Sequence, residues 1–293
     1  MTLKPTTFLI TGANSGIGFA TTHLLAQAGA TAIMACRSQE RGQAALKKIV
    51  ESTGSSSVHL MQVDLASLTS IRLFAAAVEE RFERLDALIN NAANFDISVK
   101  QPRFTESGAE EIFATNHLGP FLLTHLLLDL LKRSAPARVV NISSKGLLTY
   151  PFLKIQFDDL TTSRKRKYSP QFAYYHSKLA QVMFTRELAK RLQGSGVTAN
   201  IIRVPNVRLD ISRYPNVHPF LLRLYDIKQR FAITPDQMAE TYVKIAAKPE
   251  YDQANGLYFD EKGEPVKMPK FAMDGEACAC LWKVSAEMTG IEA

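Results

Sequence analysis

Short apolar runs alternate with stretches of helical periodicity along nearly the whole chain, and this alternation restricts the fold more than any other feature. Thr7–Ile10 is a short apolar run. Ile17–Ala28 then carries apolar residues at helical spacing and is closed by Gly29. Ala32–Ala35, Val58–Val63, Ala87–Ile89, Arg138–Ile142 and Val197–Val204 read as further strands. Between them Gln39–Glu51, Ser67–Phe82, Ala109–Lys132 and Gln171–Leu192 read as helices, with Ser67 as an N-cap. A helix near Pro235–Ala247 and a short strand around Leu257–Phe259 follow an irregular stretch. Strands that are continuous apolar runs and alternate with helices belong in a parallel sheet covered on both faces. The predicted fold is therefore α/β, a doubly wound parallel sheet of about seven strands.

No linker rich in Gly, Ser or Pro interrupts the pattern and no repeat is present, so residues 1–293 are read as one domain. Two irregular stretches, 145–170 and 205–233, exceed ordinary connection lengths and are candidate functional loops. The net charge is +7, but Arg164, Lys165, Arg166 and Lys167 supply much of the excess in one run. Such a run reads as a solvated loop, and without interleaved aromatic residues it does not predict nucleic-acid binding. Three sparse cysteines, Cys36, Cys278 and Cys280, form no disulfide framework and point to a reducing compartment. The first strand begins within about six residues of the start, which leaves no room for a signal peptide's apolar stretch. The apolar stretch Phe121–Leu131 is interrupted by Thr124, His125 and Asp129, too short and polar for a membrane span. The expectation is a soluble cytoplasmic protein. His23, His59 and His125 read as structural, no side-chain group has metal-ligand spacing, and no metal is expected.

The first strand runs into Thr11-Gly12-Ala13-Asn14-Ser15-Gly16-Ile17-Gly18. Glycines between a strand and a helix allow a tight turn and close approach of backbone to phosphate, and the helix N-terminus attracts negative charge. A glycine triplet alone is common. On the first βα unit of an alternating pattern it predicts a Rossmann-type dinucleotide site with the pyrophosphate over this turn. Such folds usually carry an acidic residue at the end of the second strand to bind the adenosine ribose. Here that end reads Cys36-Arg37-Ser38, with Arg41 one helical turn on. Two guanidinium groups suit a 2′-phosphate, so NADP(H) is the predicted cofactor.

Tyr174-Tyr175-His176-Ser177-Lys178 opens the helix after the fifth strand. A Tyr and a Lys four apart share a helical face, and an ammonium beside a phenol favours the phenolate. Tyr174 is thereby a candidate proton donor and acceptor. Downstream of the glycine turn, this spacing makes the chain resemble the short-chain dehydrogenase/reductase family. Asn90-Asn91-Ala92-Ala93, Asp64-Leu65 and Asn141-Ile142-Ser143-Ser144 look like its further motifs. Ala35-Cys36-Arg37-Ser38, Thr115-Asn116-His117-Leu118-Gly119-Pro120-Phe121, Phe157-Asp158-Asp159-Leu160 and Ser177-Lys178-Leu179-Ala180 look like its retinol-dehydrogenase-like branch.

The resemblance implies an oxidoreductase that interconverts an alcohol and a carbonyl, with catalytic Asn116, Ser144, Tyr174 and Lys178. Tyr174 would exchange the proton, Ser144 would polarise the substrate oxygen, and Lys178 would bind the nicotinamide ribose and tune Tyr174. The implied cofactor contacts are Gly12, Asn14, Ser15, Gly16, Ile17, Gly18, Arg37, Arg41, Asp64, Leu65, Asn91, Ala92, Ala93, Tyr174, Lys178, Pro205 and Val207. Pro120 has no N–H for the Asn116 carbonyl, so that carbonyl is expected free, and the resemblance implies that it holds a relay water. The resemblance admits a homodimer or homotetramer.

Three positions depart from the family pattern: Ala93 and Asn206 stand where glycines are expected, and Asp210 where a threonine is. They motivate an alternative, a cofactor-binding regulatory protein with weak or lost catalysis. Ile211, Tyr214, Pro219, Phe220, Leu221, Leu222, Leu224, Tyr225 and Phe231 make 205–233 an apolar lid and suggest a hydrophobic or aromatic substrate. Packing against the core or a second subunit is a nearly equal reading of these residues, and His218 among them reads as solvent-exposed.

Overall fold

The computed structural model describes residues 3, 5–96, 99–160, 167–208 and 232–292. Arg164–Arg166 of the basic run, Asp210, His218 and the lid residues from Ile211 to Phe231 lie outside them.

The strands are β1 (Thr7–Thr11), β2 (Thr31–Cys36), β3 (Val58–Gln62), β4 (Ala87–Asn90), β5 (Ala137–Ser144), β6 (Val197–Val204) and β7 (Tyr258–Phe259). They form one sheet in the order β3-β2-β1-β4-β5-β6-β7, and every pairing is parallel. Successive side chains leave a strand on opposite faces. Phe8, Ile10, Met34, Ile89 and Val140 enter one core, beneath α1 (Gly16–Gln27), α2 (Gln39–Thr53) and a later helix, Pro235–Ala247. Leu9, Ile33, Leu88 and Val139 enter the other, beneath α3 (Leu68–Arg81) and further helices. Burial on both faces explains why the strands read as unbroken apolar runs. Ser67 caps α3 as expected, accepting from the Ser70 N–H.

The predicted helix over 109–132 is broken. A short turn α4 (Glu111–Phe113) passes into a π segment, Ala114–Leu118, then α5 (Gly119–Leu126) and α6 (Leu128–Arg133). The cause is local: Pro120 cannot donate to Asn116, and the ladder widens so that the Gly119 N–H bonds to the Ala114 carbonyl. After α7 (Pro170–Arg191) and α8 (Pro235–Ala247) comes α9 (Gly275–Thr289), which the alternating pattern did not reveal. Asp274 caps its start, accepting from the Ala277 N–H at 3.0 Å, and Gly290 ends it in the left-handed conformation. Its buried side carries Ala277, Cys278, Leu281, Trp282, Ser285 and Ala286 at helical spacing.

This helix closes the second core. Trp282 meets Phe121 and Phe184 with ring centroids 5.2 and 5.9 Å apart, and the Arg191 guanidinium lies over its indole at 4.2 Å. Ser285 Oγ lies 2.8 Å from His117 Nε2 inside the π segment, where burial lowers the imidazolium to about 3 and keeps it neutral. Among the described residues no helix is long and apolar enough to cross a membrane.

Trp282→Ala removes a side chain that is only 5% exposed and is expected to cost about 3–5 kcal/mol of unfolding free energy. Urea unfolding followed by circular dichroism measures it. A loss below about 1 kcal/mol would show that α9 is not part of the core.

Candidate active site

Strand order reverses between β1 and β4, and a crevice opens outside their C-terminal ends. The glycine turn lies there. Gly12 has φ +67°, where a side chain is strained. A Cβ on Gly18 would come within 2.5 Å of the Gly12 carbonyl oxygen and 2.6 Å of Asn91 Nδ2, so α1 begins hard against the turn. Asn91 Nδ2 donates to the Thr11 carbonyl at 2.9 Å, and the Ala92 N–H donates to the Thr11 hydroxyl at 2.9 Å. The first turn of α1 carries no acidic residue.

A cavity of about 480 Å³ contains Gly12, Asn14, Ser15, Gly16 and Ile17 in its wall, with Asn91, Ala92 and Ala93 beside them. Ser144, Tyr174, Lys178, Pro205 and Val207 complete the predicted residues around it, and Asn206 lines it too. A neighbouring cavity of about 410 Å³ shares Gly12, Asn14, Ser15, Ala92 and Ala93 and extends to Arg37, Arg41, Asp64 and Leu65. Arg37 and Arg41 are exposed, and neither forms an ion pair among the described residues. Asp64 accepts from the Ala66 N–H at 2.9 Å, which forms the turn into α3. The two cavities together suit a dinucleotide. The close turn and helix N-terminus face a pyrophosphate, with the arginines at one end and Tyr174 at the other.

Ser169 caps α7, accepting from the Phe172 N–H, and Tyr174 and Lys178 follow one turn apart. Lys178 is buried and its Nζ donates to the Ile142 carbonyl at 2.9 Å, 5.6 Å from the Tyr174 ring centroid. The two serines of β5 differ. Ser143 Oγ donates to the Lys178 carbonyl at 3.0 Å, whereas Ser144 accepts from the Gly146 N–H at 3.1 Å and faces Tyr174.

The expected lowering of the Tyr174 phenol is reversed in this setting. Burial, then the adjacent Tyr175, raises the Tyr174 phenol above its ordinary value, and the Ser144 hydroxyl opposes this only partly. Burial also lowers the Lys178 ammonium to about 8.

Asn116 is buried and lines neither cavity. Its side chain brackets Asn94, accepting from that N–H at 2.6 Å and donating to that carbonyl at 3.0 Å, and it also donates to Ser177 Oγ at 3.0 Å. The Asn116 carbonyl, expected free, accepts a hydrogen bond from Gln181 Nε2. The missing Pro120 N–H is thus replaced by a side chain of α7. A second buried network runs from Asn90 Nδ2 to Asn141 Oδ1 (2.8 Å) and Thr124 Oγ1 (3.0 Å), then from Asn141 Nδ2 to Thr185 Oγ1 (2.9 Å).

Several cavity residues escaped the sequence reading. Phe95 packs on Tyr174 with ring centroids 4.2 Å apart, Tyr175 stacks with Tyr150 at 4.7 Å, and Tyr242 of α8 reaches the same cavity. Phe95 lies in an irregular loop and Tyr242 on an apolar helical face, so neither stands out by pattern.

The family model for short chain dehydrogenase matches residues 6–153. Human retinol dehydrogenase 13 is 42% identical, over 100% of this chain and 87% of its own length. Human retinol dehydrogenase 14 is 40% identical, over 97% of this chain and 86% of its own length. Among solved structures, an uncharacterized protein of Mycobacterium Paratuberculosis is 32% identical with a TM-score of 0.72, covering 98% of this chain and 96% of its own. The Pseudomonas aeruginosa RhlG/NADP active-site complex is 26% identical with a TM-score of 0.67, covering 88% and 95%.

Between about pH 8 and pH 10.5 the unfolded chain holds a proton on Lys178 that the folded protein does not. The Lys178 contribution to stability therefore rises with pH across that window. Relative to Lys178→Met, the parent is expected to gain up to roughly 3 kcal/mol over this range, measured by urea unfolding at each pH. A difference between the two proteins that does not change with pH would contradict a buried, destabilised ammonium.

Proposed function

The chain belongs to the short-chain dehydrogenase family, and on that footing we propose that it is an NADP(H)-dependent oxidoreductase interconverting an apolar alcohol and its aldehyde or ketone. The observation that carries this reading is the convergence of Tyr174, Ser144 and Lys178 on the cavity that continues to the glycine turn. When bound, the nicotinamide dinucleotide supplies or accepts the hydride. Tyr174 exchanges the proton with the substrate oxygen, and burial keeps its phenol protonated at neutral pH, ready to donate in the reducing direction. The Ser144 hydroxyl holds that oxygen beside the phenol. Lys178 brings its charge against the Tyr174 ring and offers donors to the ribose.

The preference for NADP(H) rests on Arg37 and Arg41 in the far cavity, where β2 ends without a carboxylate. The RhlG structure in complex with NADP accords with it. An apolar substrate is favoured by the aromatic wall of Phe95, Tyr174 and Tyr175. The apolar residues between Ile211 and Phe231 and the name of the retinol dehydrogenases favour it as well. A cofactor-binding protein without turnover is the weaker reading, because Ser144, Tyr174 and Lys178 all stand in one cavity. Of the positions that motivated it, Ala93 adds only a methyl to the wall. The Asn206 carbonyl accepts from the Ile233 N–H at 3.1 Å, a main-chain bond that this residue keeps.

Titration with NADPH and NADH, followed by nicotinamide fluorescence, is expected to show tighter NADPH binding. Arg37→Asp should weaken NADPH binding roughly tenfold or more while leaving NADH nearly unchanged. Equal affinities in the parent would overturn the phosphate assignment. Tyr174→Phe is expected to bind the dinucleotide normally and to lose about 10²–10⁴-fold in turnover of apolar aldehydes. Undiminished turnover in that variant would remove Tyr174 from the chemistry.

A further inference from the structure

Tyr242 lies in the middle of α8, fully buried, and its side chain belongs to the apolar core shared with α1. That core also holds Ile10, Ile89, Ile142 and Phe259. Among the described residues its hydroxyl has no hydrogen-bond partner. A phenylalanine would fill the same volume without an orphaned hydroxyl, so the core does not account for the oxygen. The cavity does. Tyr242 lines the same cavity as Tyr174, Lys178 and the glycine turn, but it arrives from α8, on the face of the sheet that carries α1. Tyr174 and Lys178 arrive on α7, whose later residues pack in the opposite core. The ligand cavity is thus approached by a phenol from each side of the sheet. Burial, and after it the neighbouring Tyr174, holds the Tyr242 phenol firmly protonated, so that it can donate to an acceptor.

We propose that Tyr242 is a ligand-binding residue whose phenol donates a hydrogen bond to a carbonyl-type oxygen of the molecule held in this cavity. The inference rests on the dinucleotide oxidoreductase reading. Two sources supply such an oxygen there, the carboxamide of the nicotinamide ring and the carbonyl of the substrate. The entry of Tyr242 from the α1 side, opposite the reacting Tyr174, favours the carboxamide. The hydroxyl then acquires on binding the partner that the core withholds, and ligand affinity gains from a group that is unfavourable in the free protein.

Tyr242→Phe tests this with little change of shape. Without ligand the variant is expected to melt at or above the temperature of the parent, because an unpartnered buried hydroxyl has been removed. The rise in melting temperature produced by NADPH should shrink, and the NADPH dissociation constant should increase about tenfold. Binding of 2′-phospho-ADP-ribose, which lacks the nicotinamide ring, should be unchanged. Should NADPH affinity hold while KM for an apolar aldehyde rises about tenfold, the donor serves the substrate oxygen and the proposal stands with that source. It is overturned if neither quantity changes, or if NADPH and the fragment weaken by the same factor. A parent protein that binds neither NADPH nor NADH would be a failure of the functional reading itself, visible before any variant is made, and this inference would fall with it.

Discussion

Two hydrogen bonds hold the site together: Asn91 Nδ2 to the Thr11 carbonyl and the Ala92 N–H to the Thr11 hydroxyl. They tie the loop after β4 to the last residue of β1, where the order of the sheet reverses. They act on the glycine turn, whose Gly12 N–H also donates to the Ala35 carbonyl at 2.8 Å. With them it is pressed so closely that Gly18 has no room for a Cβ between the Gly12 carbonyl and Asn91. The start of α1 is thereby aimed along the crevice, and its N–H groups can meet negative charge without moving. Arg37 just after β2, Arg41 in the first turn of α2, and Ala93 after β4 take their places around this fixed point.

The Tyr174 end of the cavity is positioned by buried polar contacts. Asn90, Asn141 and Thr185 link β4, β5 and α7, and Thr124 links α5 to the same network. Asn116 fastens the loop at Asn94 to Ser177, while Gln181 takes up the Asn116 carbonyl. These bonds tie α7, which carries Tyr174, to β5, which carries Ser144. The arrangement is costly at Lys178, whose buried ammonium donates to one carbonyl and is lowered to about 8.

Much of this was legible in the sequence. The strands are buried on both faces and so appear as apolar runs, and Val197–Val204 and Pro235–Ala247 coincide with the expected elements. The glycine turn and the Tyr174–Lys178 pair depend on local spacing, which a sequence displays directly. What failed depends on contacts between distant segments. Pro120 announced a free carbonyl, but nothing local reveals that Gln181, 65 residues away, occupies it. The charge of Lys178 suggested a lowered Tyr174, yet desolvation by the whole fold decides the direction. The helix Gly275–Thr289 follows the last strand, outside the alternation of strands and helices that located the other elements. Tyr242 looks like any aromatic core residue until its hydroxyl is found without a partner beside the cavity.

The central claim is that this crevice aligns a reduced dinucleotide with a carbonyl so that Tyr174 can complete the transfer. Its most direct test is to supply NADPH deuterated at the transferring position of the nicotinamide ring, together with an apolar aldehyde. The alcohol formed is then analysed by mass spectrometry. The account predicts an alcohol carrying deuterium on the carbinol carbon. An alcohol formed without the label, or no alcohol from any apolar aldehyde despite tight NADPH binding, would contradict it.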